Sequence, residues 1–587
     1  MFKRFSRWSL LLVALLSISL VLGACGDLTS EAPANVKSSP NLGVKSALAE
    51  SFPQDTALYI SLNTDTSSNQ IKGWQKVTDY LSAIPEVKDA LPKLDVLAQF
   101  DLGSFETTIK PWLGNELALG LTDLNTLANL ASSKDKIPSG EIPLLLAAPV
   151  KDKAKLETFV TDFLAKLNLT AETEIYNGAT LKNISLFTIV LSIGYSDSKL
   201  FIGGSPALVK AALDRTTDKS LASTDSYKKV TAKLPADYLA FIYGDVQGAI
   251  KTLNSNPNIQ KAFTSDPKIQ DALKGVTFNP ADFEYLGNVG VTMAIAPGGF
   301  RIDAYQPYQS DKASADVKTR LSKPANPNTI LNVLPENTFF FATGQDGKSG
   351  YADFAKKAAA MGEQSKQITD GIQKFETTSG LNIQNDLASL FPDEFVLFAQ
   401  PVKGYTQGDK QSLPLGIGLL TKVSDKAVAQ ANLDKITAAI AKADTKNELK
   451  FQPKTIGGVT FQQAVKPGGN LTLNLGIANG YAFFSSSEEQ TQAIIDSVNG
   501  KGTFLKGVNA TNFNQVKESL PQNNRGYLYL DLQQSVALAL ATLPVDQATK
   551  TKAYTDKLTA FKALGFASSQ TQTEVAASLF LSFPEVK

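Results

Sequence analysis

The chain has 587 residues, and its 57 Lys and Arg nearly balance 56 Asp and Glu, so it carries no field suited to nucleic acid or to an anionic bilayer surface. It contains no histidine and one cysteine. That excludes Ser-His-Asp and Cys-His catalysis, imidazole proton relays, zinc sites of the common His and Cys kinds, and any internal disulfide.

Lys3, Arg4 and Arg7 precede an apolar run from Leu10 to Leu22 that is interrupted only by serines. The run is shorter than the roughly 20 residues of a bilayer span and has the proportions of a secretory signal. It ends in Leu22-Gly23-Ala24-Cys25, which resembles the bacterial lipobox, where small residues admit the peptidase and the thiol receives lipid. Residues 1–24 are therefore read as a signal peptide, with cleavage before Cys25 and lipidation on it. The lipid anchor makes the membrane the first partner and the extracytoplasmic side the location, and two or three acyl chains hold more firmly than one. Residues 25–50 are rich in Ser, Pro, Asn and Ala and read as a flexible tether.

The body reads as one text written twice, at an offset of about 280 residues. Phe52-Pro53-Gln54-Asp55-Thr56 and its apolar strand return as Leu334-Pro335-Glu336-Asn337-Thr338 with Phe339 to Ala342. Ile109 to Leu119, with Glu116, returns as Leu387 to Leu397, with Glu394. The strand from Ile142 to Val150 precedes a helix whose apolar stripe is Leu156, Phe159, Val160, Phe163, Leu164 and Leu167. Its counterpart runs from Leu413 to Leu420 and on to Leu433, Ile436 and Ile440. Asn177-Gly178 and Gly457-Gly458 mark hairpins, and Ser205-Pro206 reads as a helix cap with its first helical residue. Leu234-Pro235 matches Leu520-Pro521, and both copies close on hairpin-like runs, Val289 to Tyr308 and Glu574 to Phe583.

These readings predict an α+β protein of two tandem duplicated units, residues 51–325 and 326–587, with the boundary near Pro324 and Pro327. Each unit is expected to cover its own antiparallel sheet with helices. The middle of each, strand-helix-strand-strand-helix-strand, suggests a ferredoxin-like order. The Pro-x-x-Thr entry strand, the segment Pro111-Trp112-Leu113-Gly114-Asn115-Glu116-Leu117-Ala118-Leu119 and the lipobox together resemble the bacterial domain-of-unknown-function 3352 family over nearly the whole body. The second copy departs at Leu390-Phe391-Pro392. The resemblance implies no activity and no catalytic residues.

Local motifs carry little chemistry. Gly344 to Ser349 lacks the first glycine of a phosphate-binding loop, since Ala342 stands there. Asp65 with Asn63, Ser67 and Ser68 lacks calcium-loop spacing. Asp245 and Asp531 sit where helix caps belong. Glu116 and Glu394 recur at matched places, as ligand-binding or acid-base groups or as carboxylates satisfying local donors.

No catalytic, metal or cofactor-binding residue is assigned, and Cys25 is the single named site. The favoured function is a non-enzymatic binding or scaffold role at the cell envelope, with an envelope protein or a small apolar ligand as further partner. A solute- or lipid-binding carrier of a transport system and a carboxylate-based hydrolase are the alternatives.

Overall fold

The computed structural model describes residues 41–583 apart from 83–103, 127–141, 187–188, 258–282, 349–350, 352–369, 371, 375, 389–390, 392, 403–414, 444–448, 466–471, 543–554 and 556–557. The signal segment and Cys25 lie outside the described residues, as do Leu390, Pro392, Leu413 and Pro414 of the second copy.

Twenty strands are described. The first ten are β1 (Leu58–Asn63), β2 (Glu116–Leu121), β3 (Ile142–Pro149), β4 (Glu172–Tyr176), β5 (Ala179–Leu186), β6 (Ile189–Tyr195), β7 (Lys199–Gly204), β8 (Ala240–Gly244), β9 (Val289–Ala296) and β10 (Gly299–Pro307). The second ten are β11 (Phe340–Gln345), β12 (Glu394–Pro401), β13 (Leu415–Lys422), β14 (Gln452–Ile456), β15 (Val459–Val465), β16 (Thr472–Ala478), β17 (Tyr481–Ser485), β18 (Tyr527–Asp531), β19 (Ala563–Gln570) and β20 (Glu574–Ser582). Their ladders join them into one sheet. From edge to edge it runs β4, β5, β6, β7, β3, β2, β1, β8, β9, β10, then β20, β19, β18, β11, β12, β13, β17, β16, β15, β14. Every neighbouring pair is antiparallel, and the strand order on one side of the β10–β20 junction recurs on the other.

This corrects the expected fold class. The halves are not two units with a sheet each, and the ferredoxin-like order is absent. In that order each helical crossover skips a single strand, whereas here the helix Lys153–Lys166 carries the chain from β3 to β4 past three strands, and β4 to β7 form an antiparallel meander that returns to β3. The expected order has two strands between the helices where the structure has four. The closing run Glu574 to Phe583 is likewise not a hairpin by itself. Most of it is β20, whose hairpin partner is β19.

Helices cover both faces. On one face lie α3 (Pro206–Leu213), α4 (Asp225–Thr231), α8 (Glu488–Val498) and α9 (Ala510–Glu518), packed on residues such as Phe201, Phe241, Phe483 and Phe580. On the other lie α1 (Asn69–Leu81), α2 (Lys153–Lys166), α5 (Val246–Ser255), α6 (Ala315–Leu321), α7 (Lys426–Ala443) and α10 (Leu532–Thr542). Their starts follow from local chemistry. Ser205 caps α3 by accepting from Leu208 N at 3.2 Å with Pro206 as first helical residue, and Ser487 and Asp152 cap α8 and α2 in the same way. The predicted stripe on α2 splits: Leu156, Val160 and Leu164 are buried, while Phe159 and Phe163 are only partly covered.

The predicted tether is shorter than residues 25–50. Gly43 N and Val44 N bond to Leu234 O and Thr231 O at 2.9 and 3.0 Å, and Leu48, Ala49 and Phe52 are buried. Small and polar residues misled here, because a few apolar side chains among them, Val44, Leu48 and Ala49, suffice to join the core.

The two halves meet where β10 and β20 pair, with Asp303 opposite Ser578 at the middle of the ladder. Asp303 is buried, and its Oδ1 accepts from Arg301 Nε and from Ser578 Oγ, each at 2.6 Å. Burial pushes its carboxyl above the usual aspartate range, against the pull of Arg301 and Ser578. Apolar clusters also span the junction. Val575 and Ala577 pack with Val246 and Val289, and Tyr80 of α1 stands edge-on to Phe561 at 5.9 Å.

Arg301→Met should leave the Asp303 carboxylate buried without its cation and cost about 3 kcal/mol. The double variant R301M/D303L, which removes both charges, should unfold within about 1 kcal/mol of wild type or later. Urea unfolding of the full chain and of each variant measures both, and equal losses in the two variants would refute the account.

Candidate functional site

Glu116 is the centre of a hydroxyl network. In the ladder it lies opposite Asn63, and strand alternation puts Tyr59 and Ser61 of β1 on the same face. The docked segment brings Ser46 over that face. Glu116 Oε1 accepts from Ser46 Oγ and, at 2.7 Å, from Ser61 Oγ. Ser46 also bonds the Tyr59 hydroxyl, and Ser61 bonds the Tyr238 hydroxyl at 2.9 Å. Burial pushes the Tyr59 phenol well above its usual value and Tyr238 up to about 12, with Glu116 adding to both. Both therefore stay protonated near neutral pH. The rings are held edge to face, Tyr59 against Phe52 at 5.0 Å and against Tyr227 at 6.2 Å.

Glu394 occupies the matching place on β12, opposite Gln345, and is buried with Thr329 donating to its carboxylate. The surroundings differ. Phe341 holds the place of Tyr59 on its strand, and Phe341, Phe504, Phe513 and Tyr529 pack with ring centroids 5.1 to 6.0 Å apart. Both carboxylates thus accept from hydroxyls, while at the Tyr59 position one half has a phenol and the other the phenyl ring of Phe341. Following the pairings, β2 and β12 are nine strand steps apart, roughly 40 Å along the sheet at about 4.8 Å per step. They cannot form the pair about 5 to 10 Å apart that a glycosidase requires.

The remaining sequence candidates are structural. Asp245 caps α5 by accepting from Gly248 N at 3.1 Å, and Asp531 accepts from Gln534 N at 2.9 Å at the start of α10. Gly344 lies inside β11, Asp346 takes a left-handed φ of 51°, and Gly347 N bonds Phe391 O at 2.7 Å, so this stretch is a strand end and turn rather than a phosphate cradle. Asp65 accepts from Ser67 N and Oγ, which hold its pKa below the usual range and close the turn before α1. Among the described residues no group of three or more His, Cys, Asp or Glu side chains is placed to hold a metal ion.

An open feature lies on the other face, where the turn Phe105–Ile109 and Pro111-Trp112 meet α2. Trp112 donates from Nε1 to Thr108 O at 2.9 Å and tilts against Phe159 at 5.3 Å, which in turn meets Phe163 at 6.0 Å. Gly114 lets the chain pass close to β3, for a Cβ there would stand 2.7 Å from the Pro149 side chain. The result is a groove of about 440 Å³ with Trp112, Phe159 and Phe163 on its floor and Lys155 and Asp162 among its polar groups. Sequence reasoning named Pro111, Trp112 and Gly114 only as part of a resemblance. The signal that would have found the groove is the excess width of the α2 stripe, two phenylalanines more than a sheet-facing helix needs.

Glu116→Ala should leave the hydroxyls of Ser46 and Ser61 without their acceptor and cost about 2 kcal/mol, while Tyr59→Phe should cost about 1 kcal/mol. Thermal unfolding of the full chain tests this ranking, and a neutral E116A would show the network to be dispensable.

Two comparisons, with curated proteins and with solved structures, give no match. A family model described as "Protein of unknown function (DUF3352)" matches residues 10–582. The chain therefore belongs to the DUF3352 family.

Proposed function

We propose that this chain is a lipid-anchored extracytoplasmic protein whose body binds a ligand or partner and performs no catalysis of its own. The observation that carries this reading is the state of its recurrent carboxylates. Glu116 Oε1 accepts from Ser46 and Ser61, and Glu394 is buried against Thr329, so both carboxylates serve as acceptors within the fold. The groove over Trp112 has what a binding site needs instead: an aromatic floor, a few polar groups and a volume within the usual range for small ligands. A small apolar or amphipathic molecule fits that lining, whose cation Lys155 is paired with Asp152 at 3.3 Å.

The address rests on the sequence from Lys3 to Cys25. No helix among the described residues is long and apolar enough to cross a membrane, which leaves the attachment to lipid on Cys25 in this reading. With the body beginning at residue 42, the leash from 26 to 41 reaches at most about 55 Å from the bilayer. A transport carrier with two closing lobes is disfavoured, because hydrogen-bonded strands run without a break from one half into the other.

Cells fed labelled palmitate should incorporate it into the wild-type chain and not into Cys25→Ser, and the variant should leave the membrane fraction. Retention of C25S in that fraction, with the label, would overturn the anchor. Native mass spectrometry of the full chain from detergent should show an excess mass that is lost on denaturation and reduced at least about tenfold in occupancy in Phe159→Ala. An unchanged excess in F159A would move the ligand elsewhere.

A further inference from the structure

A sheet of this kind ends in two edge strands, and each offers main-chain donors and acceptors to any other strand. The two ends here are β4 and β14, each paired on one side only among the described residues. Both belong to two-residue hairpins of the same type. Asn177 and Gly178 have φ of 48° and 81°, and Gly457 and Gly458 have 53° and 78°. In such a hairpin the residues flanking the turn form a hydrogen-bonded pair, Tyr176 with Ala179 and Ile456 with Val459. Counting back by two, the main-chain groups of Glu172, Glu174 and Tyr176 point to β5. Those of Thr173 and Ile175 point away from the sheet.

The same count on β14 turns Pro453 and Thr455 outward. Pro453 has no N–H, so that edge lacks a donor where a docking strand would need it, which is a common protection of sheet edges. Lys454, bound to Glu488 at 3.2 Å, adds a charge. β4 carries charges too, in Glu172 and Glu174, but keeps its outward donor: Thr173 stands where Pro453 stands, and Ile175 is 70% exposed. Among the described residues one end of the sheet is blocked at Pro453 and the other keeps its outward donors.

We infer that the β4 edge docks an extended segment of a partner protein by strand addition, and that the segment is cationic on one face. Glu172, Glu174 and Asp214 gather at this edge, with Asp214 accepting from Tyr176 Oη at 2.5 Å and Asn177 Nδ2 at 2.7 Å. On that face Lys210 answers them, bonded to Glu174 at 2.6 Å. Three carboxylates against one ammonium favour Lys or Arg on the incoming strand. Lys182 lies on the opposite face, held by the Thr173 hydroxyl at 2.8 Å, beside Ile175. That face suits the apolar side chains of an alternating segment. The site is separate from the Trp112 groove and does not depend on it.

The test uses the full chain in detergent and a fluorescein-labelled peptide, Lys-Val-Lys-Val-Lys-Val-Lys. Anisotropy should report binding, and hydrogen exchange read by mass spectrometry should show protection confined to the fragment holding Thr173 and Ile175. Thr173→Pro copies the blocked edge, removing an outward N–H and the exposed hydroxyl that Lys182 meets while leaving the ladder intact, so it should largely keep the melting temperature and weaken binding about tenfold. Glu172→Lys, at an exposed position, should weaken binding severalfold without touching the ladder. Wild-type affinity in T173P, or protection elsewhere, would overturn the proposal. A dimer of the free chain that T173P dissolves would also overturn it, assigning the edge to a second copy instead.

Discussion

The junction of β10 with β20 is the constraint on which the architecture rests. Each half ends in a strand that would otherwise be an exposed edge, and pairing the two turns both into interior strands. The ladder is centred on Asp303 and Ser578, so the polar pair sits where the order of strands reverses. A buried carboxylate held by Arg301 and a serine contributes little net stability, because desolvation offsets most of the attraction. What it contributes is register. A slip of one residue would turn Asp303 to the opposite face, among Val575 and Ala577, without its partners.

The two halves share an order of strands but not their interior chemistry. Around Glu116 the polar side chains come from three separate stretches: the docked segment, β1, and the loop before β8. The hydroxyls of Ser46, Ser61, Tyr59 and Tyr238 bind those stretches together. In the second half Phe341 stands in the place of Tyr59, and Glu394 accepts from the Thr329 hydroxyl. Both carboxylates therefore keep a hydroxyl donor while the rings beside β1 and β11 differ.

Much of this was legible in the residues, and the gaps have physical causes. Turn chemistry was the most readable, since Asn177-Gly178, Gly457-Gly458 and Ser205-Pro206 admit few backbone conformations. The recurring phrases located nearly every strand. Pairing across the junction was not readable, because β20 is apolar nearly throughout, from Val575 to Ala577 and from Leu579 to Leu581, and such a run marks a strand covered on both faces without naming its neighbours. The docked segment from residue 42 was hidden by its small polar residues. The Glu116 network was half visible: the carboxylate stood out by recurrence, but Ser46 lies 70 residues away and no local pattern joins them.

The sheet also explains why the protein can be asymmetric in use while repetitive in build. Joining two similar halves through one pair of equivalent strands leaves their other ends as far apart as the sheet allows, one with a proline facing outward and one without. Each end is then free to change alone, since a substitution at Thr173 or Pro453 touches no shared core and no ladder hydrogen bond. The aromatic groove follows the same logic. It depends on Trp112, which the second half lacks, and on the excess phenylalanines of α2, so it belongs to one half only. The groove and the β4 edge both lie in the first half.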